Sequence, residues 1–208
     1  MKHLLFDFGG VLVDLDKQRC IESFRKLGFD IAPFLGTYRQ AGVFALFERG
    51  AINEEQFCDR IRQEMAGCEA LPTNQQIIEA WENYLLTVPN DRLDKLLKLR
   101  EKFEIHVLSN TNPVHWRMAE EIYFKYKGLE IGDFFNHVFL SYELGVEKPQ
   151  PEIFQAVVDG IGCPADEILF FDDAVANCEA ARQFGLQALL APAGGLWLED
   201  AQRLLDEA

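Results

Sequence analysis

Positive charge is what this chain has least of. Its 20 Lys and Arg face 34 Asp and Glu, a formal net charge of −14 at pH 7. A phosphate-backbone partner needs cationic surface, so nucleic acid is not expected as a partner, and neither is an anionic membrane. Long apolar runs are missing too: the N-terminal stretch His3 to Phe6 is cut short by Asp7 and carries no signal-peptide cleavage site. No G-x-G-x-x-G follows a strand-like run and no G-x-x-x-x-G-K occurs, which removes the two common nucleotide-binding loops. Repeats and low-complexity tracts are absent. The five cysteines (Cys20, Cys58, Cys68, Cys163, Cys178) are odd in number and lack C-x-x-C spacing, so neither a zinc set nor a disulfide framework follows. Cys20, Cys58 and Cys178 fall on apolar helix faces and read as core thiols. A reducing, cytoplasmic location is the expectation.

What is present is an ordinary globular composition, 49% hydrophobic over 208 residues, enough for one large domain or a domain with an insert. Residues 3–7 read as a buried strand. A helix follows, capped by Asp14 or Asp16 and closed by Gly28. From there to about residue 85 the apolar positions Phe44, Phe47, Phe57, Ile61, Met65, Ile77, Ile78, Trp81 and Leu85 recur at three- and four-residue spacing, the period of helices. Asn53 ahead of Glu54-Glu55 is a helix start. Beyond that the pattern alternates: helix from Asp91 to Lys102, strand Ile105–Leu108, helix from Pro113 to about Lys127, strand Val138–Leu140, helix from Pro151 to Gly160, strand Ile168–Phe171, helix from Ala174 to Phe184, strand Gln187–Leu190 and a closing helix after Gly195. Alternation of this kind predicts an α/β fold, a Rossmann-like parallel sheet with right-handed crossovers. The expected division is an α/β core of residues 1–14 and 88–208 and an inserted all-helical cap of residues 15–87.

Ligands of an open parallel sheet bind at the carboxyl ends of its strands. Asp7, Ser109-Asn110 and Asp172-Asp173 each stand at such an end, and Lys148 lies just beyond the Val138–Leu140 strand at a helix start. An isolated carboxylate closing a buried strand is costly unless paired or ligated, so Asp7 points to chemistry. Carboxylates, a lysine and small polar groups around one point suit a hard cation together with a phosphate.

In Asp7-Phe8-Gly9-Gly10-Val11-Leu12, Leu108-Ser109-Asn110-Thr111-Asn112, Glu147-Lys148-Pro149 and Phe171-Asp172-Asp173, and in their order and spacing, the chain resembles the haloacid dehalogenase superfamily, with a first-type helical cap. Gly9, the Leu-Ser-Asn-Thr-Asn run and Glu48-Arg49-Gly50 look most like the bacterial sugar-phosphatase branch that includes α-D-glucose-1-phosphate phosphatase. The resemblance implies a Mg²⁺-dependent phosphatase acting on a small phosphorylated metabolite, a sugar phosphate such as a hexose 1-phosphate, through an aspartyl-phosphate. Asp7 is then the nucleophile. Asp7, the Gly9 carbonyl, Asp172 and Asp173 hold Mg²⁺. Gly9, Gly10, Ser109, Asn110 and Lys148 surround the phosphoryl group, Lys148 offsetting its charge, and Arg49 reaches toward the substrate.

Gly9 departs from the superfamily's pattern, in which an aspartate two residues after the nucleophile protonates the leaving oxygen, a role worth about 10²–10⁴ in rate. An anomeric leaving group tolerates that loss better than an ordinary alkoxide. Glu48 and His115 are the candidate substitutes. His115 either faces solvent at a helix start or faces the crevice; Glu48 and Arg49 either reach in from the cap or form a helix-end ion pair. Asn177 either orients Asp173 or a metal-bound water, or is only a polar first-turn residue. Two other functions remain open: a metal-free dehalogenase-type hydrolase, which Asp172-Asp173 disfavours, and a non-catalytic sugar-phosphate-binding regulatory protein, which retention of Asp7 disfavours. Oligomeric state is not legible.

Overall fold

The structure, a computed structural model, describes residues 2–65 and 70–207; Cys68 lies outside them. Five parallel strands, β1 (His3–Phe6), β2 (Glu104–Ser109), β3 (His137–Leu140), β4 (Ile168–Asp172) and β5 (Gln187–Leu190), form one sheet in the order β3-β2-β1-β4-β5. The helices in chain order are α1 (Lys17–Lys26), α2 (Gly42–Glu48), α3 (Glu54–Glu64), α4 (Asn74–Glu82), α5 (Asn90–Arg100), α6 (Pro113–Met118), α7 (Ile131–Phe134), α8 (Ser141–Leu144), α9 (Pro151–Ile161), α10 (Val175–Phe184) and α11 (Trp197–Glu207).

Apart from His106 and the polar groups at their ends, the central strands are apolar because both faces are covered. Leu4, Phe6, Val107, Leu169 and Phe171 pack toward α5 and α11, where Leu93, Leu96, Leu99 and Trp197 meet them. Leu5, Leu108, Phe139, Ile168 and Phe170 alternate to the other face, against Ile153, Phe154 and Val157 of α9 and Ala181 of α10. Cys20, Cys58 and Cys178 are buried thiols, free of disulfides.

Between β1 and α5 the described residues hold helices α1–α4 and a short 3₁₀ turn, and no strand of the sheet. Asp16 caps α1 by accepting from the Arg19 amide at 2.8 Å. Asn53 and Gln56 form a capping box on α3, as Thr73 and Gln76 do on α4. These helices close on a nest of aromatics, Phe47 stacked on Phe57 at 4.5 Å and Phe44 against Trp81 at 4.8 Å. The chain enters and leaves this segment through an antiparallel bridge between Leu15 and Leu85. Asp14 is not a cap: it pairs at 2.7 Å with the buried Arg92, which also donates to the Leu12 carbonyl. Thus the two crossing points are held by a buried cation.

Two local expectations are corrected. The helix begun at Pro113 ends at Met118 and widens into a single π-helical turn, Ala119–Tyr123, closed by the Phe124 amide on the Ala119 carbonyl at 3.0 Å. The chain then turns at Tyr126–Leu129, with Lys127 at φ 53°, so the apolar period there is not one continuous helix. Lys148 does not open a helix; it sits in the loop between α8 and α9, whose first residue is Pro151. No helix among the described residues is long and apolar enough to cross a membrane.

Candidate active site

Asp7 follows β1, Ser109 ends β2, Asp172 ends β4 and Asp173 follows it. Parallel pairing of β1 with both β2 and β4 brings these ends side by side. Oxygens of Asp7, Asp172 and Asp173 lie within 4.8 Å of one another. The Lys148 ammonium enters this cluster, 1% exposed, and spends its three donors on Asp7 Oδ1 at 2.6 Å, Asp172 Oδ2 at 2.7 Å and the Leu108 carbonyl at 3.0 Å. Asp172 is otherwise satisfied by the Ala174 amide at 2.8 Å and the Asn177 amide group at 3.0 and 3.1 Å.

The electrostatics follow from burial of like charges. Burial raises the Asp7 carboxyl to about 8, against the pull of Lys148 and with the push of Asp172 and Asp173. Asp173 is raised to about 6, by burial first and by Asp172 second. For Lys148 burial alone would lower the pKa, but Asp172 and Asp7 outweigh it and hold it at about 12. With all three carboxyls ionised, three carboxylates and one ammonium leave two excess negative charges at one point, which a divalent cation offsets. Oxygen donors of this kind, with a backbone carbonyl nearby, fit a hard cation such as Mg²⁺. The donor set fits the metal.

The glycines shape the same corner. At Gly10 the backbone is left-handed, φ +82°, and a Cβ there would stand 2.4 Å from Asp173 Oδ2. Gly9 is different: a Cβ would meet only the Leu15 side chain, Cδ1 at 3.5 Å and Cδ2 at 3.8 Å, in ordinary contact. Position 9 therefore accommodates a Cβ, and backbone geometry does not require its glycine.

A family model for haloacid dehalogenase-like hydrolases matches residues 1–185. The chain belongs to that family. D-ribitol-5-phosphate phosphatase of Bacteroides thetaiotaomicron is 32% identical to this hydrolase over 209 residues, covering 99% of each chain. A haloacid dehalogenase-family enzyme from the same organism, crystallised as an aspartate-to-alanine mutant with magnesium and inorganic phosphate, superposes with TM-score 0.90 at 40% identity, covering 95% of this chain and 96% of that one. A HAD-like hydrolase from Porphyromonas gingivalis gives TM-score 0.90 at 30% identity, covering 100% and 99%.

In the hydrolase a cleft joins Asp7, Gly9, Ser109, Asn110, Lys148 and Asp173 to Thr37, Tyr38, Gln40, Glu48 and Tyr84 from the helical segment. The Asn110 side chain brackets the lysine, accepting from the Lys148 amide at 2.8 Å and donating to its carbonyl at 3.0 Å; it positions Lys148. Arg49 is exposed and outside the cleft, so the reach expected of it toward substrate is corrected: it is the last turn of α2 that faces inward, and it presents Glu48. No Glu48–Arg49 ion pair is found among the described residues; Arg39 of the cleft loop instead pairs with Glu147 beside Lys148. Asn177 holds Asp172, not Asp173.

His115 lines the cleft but faces neither solvent nor substrate as a proton donor. It is buried, stacked on Trp81 at 4.6 Å and Tyr84 at 5.8 Å, with Nε2 on the Trp81 carbonyl at 3.0 Å and Nδ1 against Asn112 at 3.2 Å. Burial lowers its pKa to about 4, partly countered by the Trp81 carbonyl. It is a neutral brace between α4 and α6. Glu48 is the opposite case. Burial, then the charge of Glu147, push its pKa well above its ordinary value, which favours the protonated form.

Sequence reasoning missed Gln40, Tyr84 and Ser141. Tyr84 ends the aromatic stripe and was indistinguishable from core by period. Ser141, directly after β3, links the Thr111 amide (2.9 Å) to the Glu48 carbonyl (2.5 Å). The rule that singled out Ser109 at a strand's carboxyl end also applied to it.

Proposed function

We propose that this hydrolase is a Mg²⁺-dependent phosphatase of a small polyol or sugar phosphate, working through an aspartyl-phosphate on Asp7. The observation that carries the reading is the buried Asp7–Lys148–Asp172–Asp173 cluster at the floor of a polar-walled cleft. Asp7, the Gly9 carbonyl, Asp172 and Asp173 would hold Mg²⁺, which supplies charge neutralisation and fixed geometry. The helical segment 15–87 acts as the cap that brings the wall residues over the floor.

An oxygen of Asp7 attacks phosphorus, the bond to the leaving oxygen breaks, and the substrate leaves as its alcohol. Ser109 and the backbone amide of Asn110 receive phosphoryl oxygens, and Lys148 offsets the charge spread over them. Glu48, whose burial favours the protonated form, gives a proton to the leaving oxygen; as a carboxylate it then takes a proton from the water that attacks phosphorus and frees Asp7. This carboxyl stands in for the aspartate absent at Gly9. An acid at Glu48 also removes the need for an anomeric leaving group, so the reading favours a primary alkyl phosphate of a polyol over the hexose 1-phosphate expected from sequence. Gln40 supports a hydroxyl-rich substrate: its Oε1 is buried without a partner at the cleft wall, and its amide group lies 3.5 Å from the Tyr84 hydroxyl, leaving an acceptor for a substrate O–H.

Phosphate release from D-ribitol 5-phosphate, other pentitol and pentose 5-phosphates and glucose 1-phosphate tests the substrate class. Release from the 5-phosphates at rates above those for glucose 1-phosphate is expected; exclusive action on 1-phosphates would remove Glu48 from the acid role. A mutant cycle tests Glu48 itself. Glu48→Gln is expected to lower kcat by about 10²–10⁴-fold, and Gly9→Asp, whose Cβ makes only ordinary contact with Leu15, to recover much of that loss in the double mutant. Equal losses in both backgrounds would contradict the exchange of roles.

Metal and proton compete for the same carboxylates. Because Asp7 and Asp173 are raised to about 8 and about 6, the folded protein binds more protons than the unfolded chain, whose carboxyls titrate near ~4. Their favourable contribution is full below about 4 and is lost as pH rises through 6 and 8. Without Mg²⁺ the melting temperature should fall from pH 5 to pH 8.5, and saturating Mg²⁺ should restore more at pH 8.5 than at pH 5. Calorimetry at both pH values, with Mg²⁺ and with EDTA, checks the sign.

A further inference from the structure

Three of the chain's four histidines lie together at the end of the sheet opposite the Asp7 cluster. His3 begins β1, His106 is the third residue of β2 and His137 begins β3. Register pairs His3 with Glu104 and His106 with His137, and residues two apart share a face, so His3, Glu104, His106 and His137 project from one side of three adjacent strands. His106 is fully buried, its ring stacked on His137 at 5.3 Å and beside that of His3 at 5.5 Å.

Two of the three donor separations match the edges of a coordination tetrahedron. His3 Nδ1 lies 3.3 Å from His106 Nε2 and 3.4 Å from Glu104 Oε2, and one donor atom from each of the three residues falls within a 4.8 Å cluster. A tetrahedron with metal–ligand bonds of about 2.0–2.1 Å has edges of about 3.3–3.4 Å. We propose that His3, His106 and Glu104 form a second metal site, selective for a transition-metal dication of the Zn²⁺ type, with the fourth position open to water beside the half-exposed Glu104.

His106 Nδ1 is buried without a partner, so hydrogen bonding among the rings does not complete this cluster. Imidazole donors suit Zn²⁺ and its neighbours, whereas Mg²⁺ prefers oxygen, so the two ends of the sheet select different cations. Ligation would tie β1 to β2 across 103 positions of sequence and act on stability, not on turnover.

The test is a Co²⁺ titration of the intact protein in excess Mg²⁺, read by visible absorption, with Zn²⁺-dependent melting as the second measurement. One equivalent of Co²⁺ should give the intense band of a tetrahedral site, displaced by Zn²⁺, and Zn²⁺ should raise the melting temperature. His3→Gln and Glu104→Gln, both at the sheet's rim and outside the catalytic cleft, should weaken binding by at least about tenfold, with Mg²⁺-dependent turnover unchanged. Absence of an intense band in the wild type would overturn the proposal. So would a band that survives in His3→Gln, which would place the ion elsewhere, at the Asp7 cluster for instance.

Discussion

Asp7→Asn is expected to lower phosphate release by about 10⁴-fold or more while leaving the melting temperature equal to or above that of the parent. The two parts have one cause. Asparagine has nearly the shape of aspartate and accepts the same hydrogen bonds from the Phe8 amide at 2.7 Å and Lys148 at 2.6 Å, but it does not form an acyl phosphate. In the parent without cation the Asp7 carboxyl is buried beside two others, and burial is the largest reason for its raised pKa. Asparagine removes the cost of ionising that buried carboxyl, and Lys148 keeps Asp172 as partner. Loss of activity with an unchanged or raised melting temperature separates a chemical role from a structural one. A destabilised Asp7→Asn protein, or one that keeps a tenth of parental turnover, would contradict the assignment of the nucleophile.

Lys148→Met should do the reverse to stability while also removing turnover. The apolar stem is kept, but Asp7, Asp172 and the Leu108 carbonyl lose their common donor. Breaking a buried ion pair by removing one partner costs about 3–5 kcal/mol. In a domain of this size each kcal/mol moves the melting temperature by about 2–4 °C, so a fall of about 10 °C is expected in EDTA. Saturating Mg²⁺ should recover part of the stability, since it replaces the missing positive charge among the same oxygens, without recovering turnover, because the group facing the phosphoryl oxygens is gone. Calorimetry of the two proteins with and without Mg²⁺ reads both effects. Equal melting temperatures in EDTA would show that the ion pair adds nothing to the fold.

The parts of the molecule legible in sequence are those where one local rule suffices. Strands buried on both faces announce themselves as short apolar runs, and Leu4, Leu5 and Phe6 are all fully buried. Helix starts at Asp16 and Asn53 carry side chains that satisfy end amides. The floor of the cleft was readable because parallel pairing forces the carboxyl ends of adjacent strands together, whatever their separation in sequence. What failed depended on side-chain facing within loops and helix ends. Glu48 and Arg49 are neighbours in sequence, yet one is buried in the cleft and the other exposed, a distinction set by where α2 stops. His115 was placed by its helix start alone, and no sequence rule shows that Trp81 and Tyr84, more than thirty residues away, would stack against its ring. Asp14 and Arg92 could not be paired in advance because their contact forms across 78 residues.

One measurement bears on the central claim most directly: inorganic phosphate release from D-ribitol 5-phosphate and a panel of sugar phosphates by the folded protein, with Mg²⁺ and with EDTA. The account predicts release that requires Mg²⁺ and vanishes in EDTA. Release undiminished by EDTA, or none from any phosphomonoester by protein shown to be folded and Mg²⁺-loaded, would contradict it.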